Sequence, residues 1–198
     1  MARRIADILN PYTVGIAGCG GLGSNCAVAL ARAGIGHLIL ADFDVIEPDN
    51  LDRQYYFADQ IGQLKVLALK SNILRINPRI QTDTHAVRLT PAVIPGIFGR
   101  CDVIVEAFDR KEMKLMIAET VLENMPDTPL VMGSGIAGWG KNEQLTTFRS
   151  DNLYVCGDET TETSEEMPPL APRVGIVANM QANVVVEILL GKYEDHIE

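Results

Sequence analysis

The sequence carries the glycine-rich run Gly18-Cys19-Gly20-Gly21-Leu22-Gly23 between an apolar segment, residues 13–17, and a helix-favouring segment, residues 24–33. A turn of this kind between a strand and a helix presents backbone N–H groups and the positive end of the helix dipole to an anion. Glycine permits the tight bend, the close approach of a phosphate and the close packing of helix on strand. The run therefore predicts a phosphate-binding turn, whose nucleotide-binding members are Gly18, Gly20, Gly21 and Gly23.

Asp42 follows the next apolar segment, residues 37–41, and places a carboxylate at the end of a second predicted strand. A carboxylate there can accept hydrogen bonds from the ribose hydroxyls of a nucleotide. The glycine turn and this acid predict nucleotide binding without separating ATP from a dinucleotide. An NAD-dependent oxidoreductase is therefore one alternative, although the chain offers no candidate for hydride chemistry.

The following segment adds cations and amides that suit a polyphosphate. If residues 50–54 form a helical turn, Asn50, Arg53 and Gln54 lie at i, i+3 and i+4 and face the same way. Arg53 supplies a planar donor fork, and Lys65, at the start of a helix predicted over residues 65–76, supplies a compact second cation. The alternative is that both cations are solvated surface charges.

Asp109 follows the apolar segment 103–106, at the carboxyl end of another predicted parallel strand. Its carboxylate could hold Mg²⁺ there together with water molecules. The alternative is that Asp109 caps a helix beginning near Lys111. The position of Asp109 on the same side of the predicted nucleotide site as the two cations favours the functional role.

Further motifs extend this pattern along the chain. They are Gly-Cys-Gly-Gly-Leu-Gly-Ser at 18–24, Asp-Phe-Asp at 42–44, Asn-Leu-Asp-Arg-Gln at 50–54, Ile-Gly-Gln-Leu-Lys at 61–65, Ile-Asn-Pro at 76–78, Ala-Pro-Arg-Val-Gly at 171–175 and Gln-Ala at 181–182. With these motifs the chain resembles the ThiF/MoeB branch of the ubiquitin-activating-enzyme superfamily. The resemblance spans roughly residues 13–190.

This resemblance implies a nucleotidyltransferase that uses MgATP to adenylate the C-terminal glycine of a small ubiquitin-fold protein. It assigns Asp42 to the ribose, Asp109 to Mg²⁺ and Asp44 to the nucleotide site. The residues that it assigns to the phosphates are Asn50, Arg53, Gln54 and Lys65. Arg53, Lys65 and Asp109 are the expected catalytic residues. The short chain is most similar to compact ThiF proteins, which implies a Gly-Gly-ended, ThiS-like sulfur-carrier partner and a role in thiamine biosynthesis.

Two alternatives share the fold of this superfamily. A TcdA-like dehydratase would activate a carboxylate on tRNA, but the acidic chain contains no basic tract for a nucleic acid. A catalytically silent partner, like the inactive halves of heterodimeric activating enzymes, is disfavoured because Arg53, Lys65 and Asp109 are all present.

The cysteines depart from the pattern of many relatives, which carry two CxxC pairs for structural zinc. Here the cysteines are widely separated, so no structural zinc is expected. Cys19 and Cys26 fit small buried thiols. Cys156 opens an acidic loop, residues 156–169, in the stretch where relatives place sulfur-handling cysteines. A covalent thioester or persulfide role stays open for Cys156, although the nearby carboxylates are expected to raise its pKa.

The segment before the first strand is short and contains Arg3 and Arg4. Relatives often begin with a longer arm whose arginine reaches the nucleotide site of the partner subunit. Arg3 or Arg4 would serve in that role, and the alternative is an amphipathic cap with solvated arginines. A homodimer is expected from the resemblance alone.

Composition fits a compact domain of 198 residues, 47% of them hydrophobic. We predict a single adenylation domain over residues 1–198, with a nucleotide-binding half up to about residue 110 and a carrier-binding and crossover-loop half from about 111. The net charge of −9 argues against nucleic acid or acidic lipid as partners. No membrane span or signal peptide is recognised in the sequence, so a cytoplasmic location is expected.

The alternation of strands and helices predicts an α/β fold with a Rossmann-like, mostly parallel sheet flanked by helices. Strands are expected near residues 13–18, 37–42, 81–87, 102–107 and 129–134. Residues 144–148 read as a strand of a C-terminal antiparallel extension, and the final helix is expected over about residues 174–190. The acidic residues 158–169 form either a solvated loop or a strap over the tail of the carrier, which glycines 133, 135 and 138 would allow to approach the nucleotide.

Overall fold

The structure, a computed structural model, describes residues 4–195 of the chain. Its strands are β1 (Thr13–Ala17), β2 (His37–Ala41), β3 (Gln81–His85), β4 (Val103–Glu106), β5 (Leu130–Ser134), β6 (Thr146–Ser150) and β7 (Leu153–Gly157). Its α-helices are α1 (Ile5–Leu9), α2 (Gly21–Ala33), α3 (Lys65–Ile76), α4 (Ile94–Phe98), α5 (Lys111–Asn124) and α6 (Ala171–Asp195). Short 3₁₀ turns cover Pro48–Asp52, Ala58–Gln60 and Asn142–Gln144.

The strands form one seven-stranded sheet in the order β3-β2-β1-β4-β5-β7-β6. All neighbouring strands are parallel except β6 and β7, which are antiparallel. This confirms the predicted fold class, a Rossmann-like, mostly parallel sheet with a C-terminal antiparallel strand. The chain runs outward from β1 through β2 to β3, then returns to place β4 on the other side of β1. The carboxyl ends of β1 and β4 therefore flank a topological switch point, where α/β sheets bind ligands.

The central strands are apolar because both faces of the sheet are covered. Val14 and Ile16 of β1 are fully buried, as are all residues of β4. Helix α2 lies close to β1 because Gly23 in its first turn has no side chain: a Cβ atom on Gly23 would lie 1.8 Å from the carbonyl oxygen of Gly18. Gly34 ends α2 in the left-handed conformation with φ of 107°, as its position after the predicted helix indicates.

The last helix, α6, packs against α2, β5 and β7. Its inner face is buried and includes Val177, Ala178, Ala182 and Val185. Buried Gln181 donates a hydrogen bond of 2.8 Å from Nε2 to the carbonyl oxygen of Glu106 and so ties α6 to the end of β4. By length and hydropathy, α6 would suffice to cross a membrane, the one helix in residues 4–195 that passes this test. Of its apolar window, 44% is buried in the structure, on the face that packs against α2 and the sheet.

Two boundaries differ from the sequence prediction. The final helix extends from Ala171 to Asp195 and is longer at both ends than residues 174–190. Strand β7 was not predicted, and Cys156 lies inside it rather than at the start of a loop. Residues of both predicted halves of the chain contribute strands to the same sheet.

Candidate nucleotide-binding site

A cleft of about 870 Å³ opens at the carboxyl ends of the parallel strands. This volume lies within the range of small-molecule and cofactor sites. The loops after β1, β2, β3, β4, β5 and β7 all reach it. Of the predicted site residues, the cleft is lined by Gly18, Gly20, Gly21, Asp42, Asp44, Arg53, Gln54, Lys65 and Asp109. Gly23 and Asn50 are not part of the lining.

The glycine turn is held to the end of β2 by Asp42. Its Oδ2 atom accepts a hydrogen bond of 2.7 Å from the N–H of Cys19, and its Oδ1 atom accepts one of 2.8 Å from the N–H of Asp44. A carboxylate has about four acceptor positions, so Asp42 keeps capacity for ribose hydroxyls. Gly18 has φ of 95°, and a Cβ atom there would lie 2.9 Å from the carbonyl oxygen of Ala107. Glycine is therefore required at the bend where β1 passes β4.

Lys65 begins α3 and sends a nearly buried side chain, 8% exposed, to the cleft. Its ammonium lies 3.1 Å from Oδ2 of Asp44, whose side chain is 47% exposed. The backbone N–H of Lys65 also donates to the carbonyl oxygen of Asp44, at 3.0 Å. An ammonium has three donors, so Lys65 retains capacity for a phosphate. Asp44, which was assigned to the nucleotide site, is placed here as the partner that orients Lys65.

Arg53 lines the cleft beside the glycine turn. Its Nη1 atom donates to Oδ1 of Asp52 at 2.6 Å and to the carbonyl oxygen of Asp49 at 3.0 Å. The other N–H groups of the guanidinium can donate hydrogen bonds to a bound anion. Gln54 follows in the lining, and its buried Oε1 atom has no hydrogen-bond partner within residues 4–195.

The expected common face of Asn50, Arg53 and Gln54 is wrong for Asn50. The turn is a 3₁₀ helix that stops at Asp52, and Arg53 already has φ of −149°, outside helical geometry. Asn50 instead accepts a hydrogen bond of 3.1 Å from the N–H of Glu47 in a capping box. The helical spacing assumed from the sequence therefore does not bring the Asn50 side chain into the lining of the cleft.

Asp109 is exposed and lines the cleft just beyond β4. The N-cap residue of α5 is Arg110, and no side chain makes a capping hydrogen bond there. The alternative role of Asp109 as a helix cap is therefore not supported by the geometry.

A buried ion pair in the floor of the cleft was not predicted. Glu106, 0% exposed, accepts two hydrogen bonds of 2.9 Å from Lys114, which also donates to the carbonyl oxygen of Gly133 at 2.8 Å. Burial raises the pKa of Glu106, and the Lys114 ammonium and the N–H of Phe108 oppose this rise without cancelling it. The sequence did contain a signal for this ion pair: Glu106 stands at the end of an apolar strand, and a buried carboxylate needs a partner.

The side of the cleft near β2 and β3 is apolar and aromatic. Phe43 follows Asp42, and the Arg88 guanidinium lies 4.2 Å from the centroid of its ring. Leu89, after β3, and Phe108, after β4, also line the cleft. Such a surface suits the flat face of a nucleobase. Phe43, Arg88, Leu89 and Phe108 carry no joint signal in the sequence, because their separation in the chain hides their proximity.

The cysteines are buried and free, which agrees with the prediction for Cys19 and Cys26. The placement of Cys156 in an acidic loop is wrong. It is 0% exposed within β7, with its sulfur 3.8 Å from Oγ1 of Thr147, and it does not line the cleft. Burial raises the pKa of the Cys156 thiol, so the expected direction holds but the cause is desolvation rather than the loop carboxylates.

Arg4 lies before α1, where its Nε atom is 3.3 Å from Oδ2 of Asp7 and its side chain is 85% exposed. It does not line the cleft of its own chain. Arg3 lies outside the described residues.

A doubly wound sheet with a glycine turn at its switch point, and cations beside that turn, defines a nucleotide-binding α/β protein. The chain belongs to the ThiF family, which it matches over residues 4–198.

Two curated relatives show what the chain is similar to. It is 31% identical over 182 residues to the sulfur carrier protein ThiS adenylyltransferase of Escherichia coli, covering 89% of this chain and 71% of that protein. It is 32% identical over 188 residues to the adenylyltransferase and sulfurtransferase UBA4 of Eremothecium gossypii, covering 90% of this chain. The chain spans only 41% of the length of that fungal relative.

Among solved structures, the fold matches E. coli tRNA N6-threonylcarbamoyladenosine dehydratase, TcdA, in complex with AMP. The TM-score is 0.87, with coverage of 96% of this chain and 90% of that chain. The sequence identity is 18%, so this likeness concerns the fold alone.

Proposed function

We propose that this chain is an ATP-dependent adenylyltransferase that activates the C-terminal carboxylate of a small ubiquitin-fold sulfur-carrier protein. The observation that carries the proposal is the convergence of Arg53, Gln54 and Lys65 on the glycine turn within one cleft. A dinucleotide enzyme needs a phosphate-binding turn but has little use for this additional set of donors. The adenylyltransferase names of the relatives support the same class of reaction.

The reaction suits these residues. A carboxylate attacks the α-phosphate of ATP, the acyl adenylate forms, and pyrophosphate leaves. No group must gain or lose a proton, so positioning and electrostatic stabilisation supply most of the catalysis. Lys65 and Arg53 stand beside the turn that would hold the phosphates and would stabilise the charge that develops on them.

Asp109 fits a magnesium ion because it is exposed, lines the cleft and does not cap α5. Within residues 4–195 no group of three or more His, Cys, Asp and Glu side chains could hold a metal. Magnesium often takes only one or two carboxylates and completes its shell with phosphate oxygens and water. The ion would neutralise phosphate charge, and Asp109 would fix its place at the end of β4.

The acceptor half of the cleft is built differently from the nucleotide half. It is lined by Gly133, Ser134, Gly135, Ile136, Thr160, Thr161, Glu162 and Thr163. Small residues and hydroxyls let a thin, extended peptide approach closely. A tail ending in Gly-Gly has this shape, which favours a carrier protein as the acceptor. A ThiS-like carrier, a role in thiamine biosynthesis, a homodimer and a cytoplasmic location belong to the proposal.

A second candidate is a TcdA-like enzyme that activates a carboxylate on tRNA. The fold similarity to TcdA favours it. The net charge of −9 counts against it, because affinity for tRNA depends largely on cations that contact phosphates.

Carrier-dependent exchange of pyrophosphate into ATP tests the proposal. We expect exchange with a Gly-Gly-ended carrier and none with the same carrier lacking its final glycine, which is the matched control. Calorimetry should show binding of MgATP. Tight binding of NAD without binding of MgATP would refute the adenylyltransferase reading, and exchange driven by modified tRNA but by no carrier would favour the second candidate.

A further inference from the structure

A buried ion pair lies under the acceptor half of the cleft, apart from the cations near the phosphates. The side chains of Arg173 and Asp158 are 4% and 1% exposed, and Nη2 of Arg173 lies 2.5 Å from Oδ2 of Asp158. Arg173 stands in the first turn of α6, a helix of 25 residues. A cation in this position opposes the helix dipole, and its burial costs free energy. Arg173 therefore lowers the stability of α6, so the stability of this helix does not explain why an arginine is found there.

Asp158 begins the segment that we call the strap, residues 158–169. Its Oδ1 atom accepts hydrogen bonds of 2.9 Å from the N–H groups of Thr160 and Thr161, and Oδ2 accepts one from the hydroxyl of Thr161. The carboxylate thus shapes the turn whose residues Thr160 to Thr163 line the cleft. A Cβ atom on Gly135 would lie 1.8 Å from Oδ1 of Asp158, so the loop after β5 packs directly against this carboxylate.

The other end of the strap is fixed to the same loop. The N–H of Gly138 donates to the carbonyl oxygen of Pro168 at 2.9 Å, and Gly138 forms a bridge with Pro169. Two residues later, the carbonyl oxygen of Gly140 accepts a hydrogen bond of 2.6 Å from Nη1 of Arg173. One guanidinium therefore contacts Asp158 at the start of the strap and Gly140 of the loop whose Gly138 contacts the end of the strap.

The sheet order separates this region from the base of a nucleotide. Strands β1, β4 and β5 lie between β2 and β7, so the ends of β2 and β7 are about 19 Å apart at about 4.8 Å per strand. Asp42 and Phe43 follow β2, whereas the strap follows β7. A displacement of the strap should therefore weaken the use of the acceptor more than the binding of ATP.

We infer that Arg173 is a positioning residue that holds the strap over the acceptor half of the cleft, by binding Asp158 at the start of the strap and Gly140 of the loop that contacts its end. The identity of the acceptor as a carboxyl-bearing peptide tail rests on the proposed function, whereas the fastening of the strap does not. Only a planar fork reaches Asp158 and Gly140 together in this geometry. A lysine at position 173 keeps the charge but cannot hold Asp158 and Gly140 in the same way.

Arg173→Lys and Asp158→Asn test this inference, with Glu187→Gln as the matched control. Asn at position 158 can still accept the two N–H bonds through Oδ1, but it loses the charge that pairs with Arg173. Glu187 is on the same helix, and its ion pair with Arg149 is exposed and long, at 3.9 Å. The control therefore removes the charge of a carboxylate on α6 without changing a contact of the strap. Folding of each variant is checked by circular dichroism and thermal unfolding.

Hydrogen exchange of the strap amides is the first readout and needs no substrate. We expect faster exchange in the strap for Arg173→Lys and Asp158→Asn, with the amides of β1 and α2 unchanged. Protection of the strap equal to that of the parent in both folded variants would overturn the inference.

Kinetics supply the second readout. A misplacement of about 1 Å can cost on the order of 10²-fold, so we expect the kcat/KM for the carrier to fall by roughly 10- to 10²-fold. The Kd for MgATP should change less than the kcat/KM for the carrier, because Asp42 and Phe43, at the ribose and base end of the cleft, follow β2, about 19 Å from the end of β7. Parallel losses for carrier and ATP would overturn the inference. If the parent uses no carrier at all, the proposed function fails, while hydrogen exchange still decides whether Arg173 holds the strap.

Discussion

Replacement of Lys65 by methionine separates catalysis from stability. Methionine has an unbranched side chain that fills the nearly buried space of the Lys65 stem, so the substitution removes mainly the ammonium. Loss of one preorganised donor in a water-poor site typically lowers the rate by on the order of 10²–10³. We therefore expect Lys65→Met to lose most of its carrier-dependent pyrophosphate exchange.

The stability of Lys65→Met should change little, because of the exposure of the partner. The Asp44 side chain is 47% exposed, so its carboxylate is hydrated after the ammonium is removed. Ion pairs with this degree of solvent contact contribute up to about 1 kcal/mol. For a domain of this size, a loss of 1 kcal/mol lowers Tm by about 2–4 °C.

Lys114→Met is the matched contrast, since it also removes a lysine ammonium from the lining of the cleft. Its partner Glu106 is fully buried, and a buried charge left without its partner typically costs about 3–5 kcal/mol. Glu106 can reduce this cost by binding a proton, because its pKa is already raised by burial. A raised carboxyl pKa means that stability is lost as pH rises through it, so the defect of Lys114→Met should be larger at neutral than at acid pH.

Thermal unfolding and pyrophosphate exchange measured on the same preparations provide the comparison. The expected result is a folded, inactive Lys65→Met and a strongly destabilised Lys114→Met. The assignment of Lys65 to the phosphates is refuted if Lys65→Met folds with near-parental exchange. The contrast between the two pairs is refuted if both variants lose the same amount of stability at neutral pH.

Three further predictions concern single carboxylates and a thiol. Asp109→Ala should lower exchange more than it weakens ATP binding, because a metal mainly stabilises the transition state; near-normal exchange would remove Asp109 from the site. The pKa of Asp158 is lowered to about 2, since hydrogen bonds from Thr161 and Thr160 and from Arg173 outweigh the opposing effect of burial. Its contribution, about 2 kcal/mol at 1.36 kcal/mol per pH unit, should be complete above about pH 4 and lost as pH falls towards 2, and an acid titration of Asp158→Asn should lack that loss. Cys156→Ser should lose about 1–3 kcal/mol from burial of a hydroxyl yet keep full exchange in its folded form, as urea unfolding and the exchange assay would show.

The elements that the sequence predicted well are those with strong local signals. Helix α3 has the predicted bounds, and β1 and β2 agree within a residue. Strand β7 was missed because its residues were read as the start of an acidic loop. The signal was present, since Asp151-Asn152 is a two-residue link between β6 and β7, and Asp151 has a positive φ of 49°, as hairpin turns require.

The site was predictable only where local motifs carry it. The motifs located Asp42, Arg53 and Lys65, because each of them follows or begins a recognisable element. Contacts between distant segments have no local sequence motif: Arg173 and Asp158 meet because α6 starts beside the end of β7. Asn50 shows the opposite error, since a local rule for α-helices was applied to a turn that is 3₁₀.

Three cations that line the cleft are each paired with a carboxylate, and the exposure of that carboxylate indicates whether the cation is available to a polyphosphate. Lys65 pairs with Asp44 and Arg53 with Asp52, and these carboxylates are 47% and 66% exposed. Water solvates such carboxylates well, so a phosphate can replace them at small cost. Lys114 pairs with Glu106, which is fully buried and cannot be hydrated. If Lys114 bound a phosphate instead, the charge of Glu106 would stay buried without a cation beside it. Although all three cations line one cleft, the exposure of their partners therefore supports the proposal that Lys65 and Arg53 bind the nucleotide, whereas Lys114 stabilises the fold.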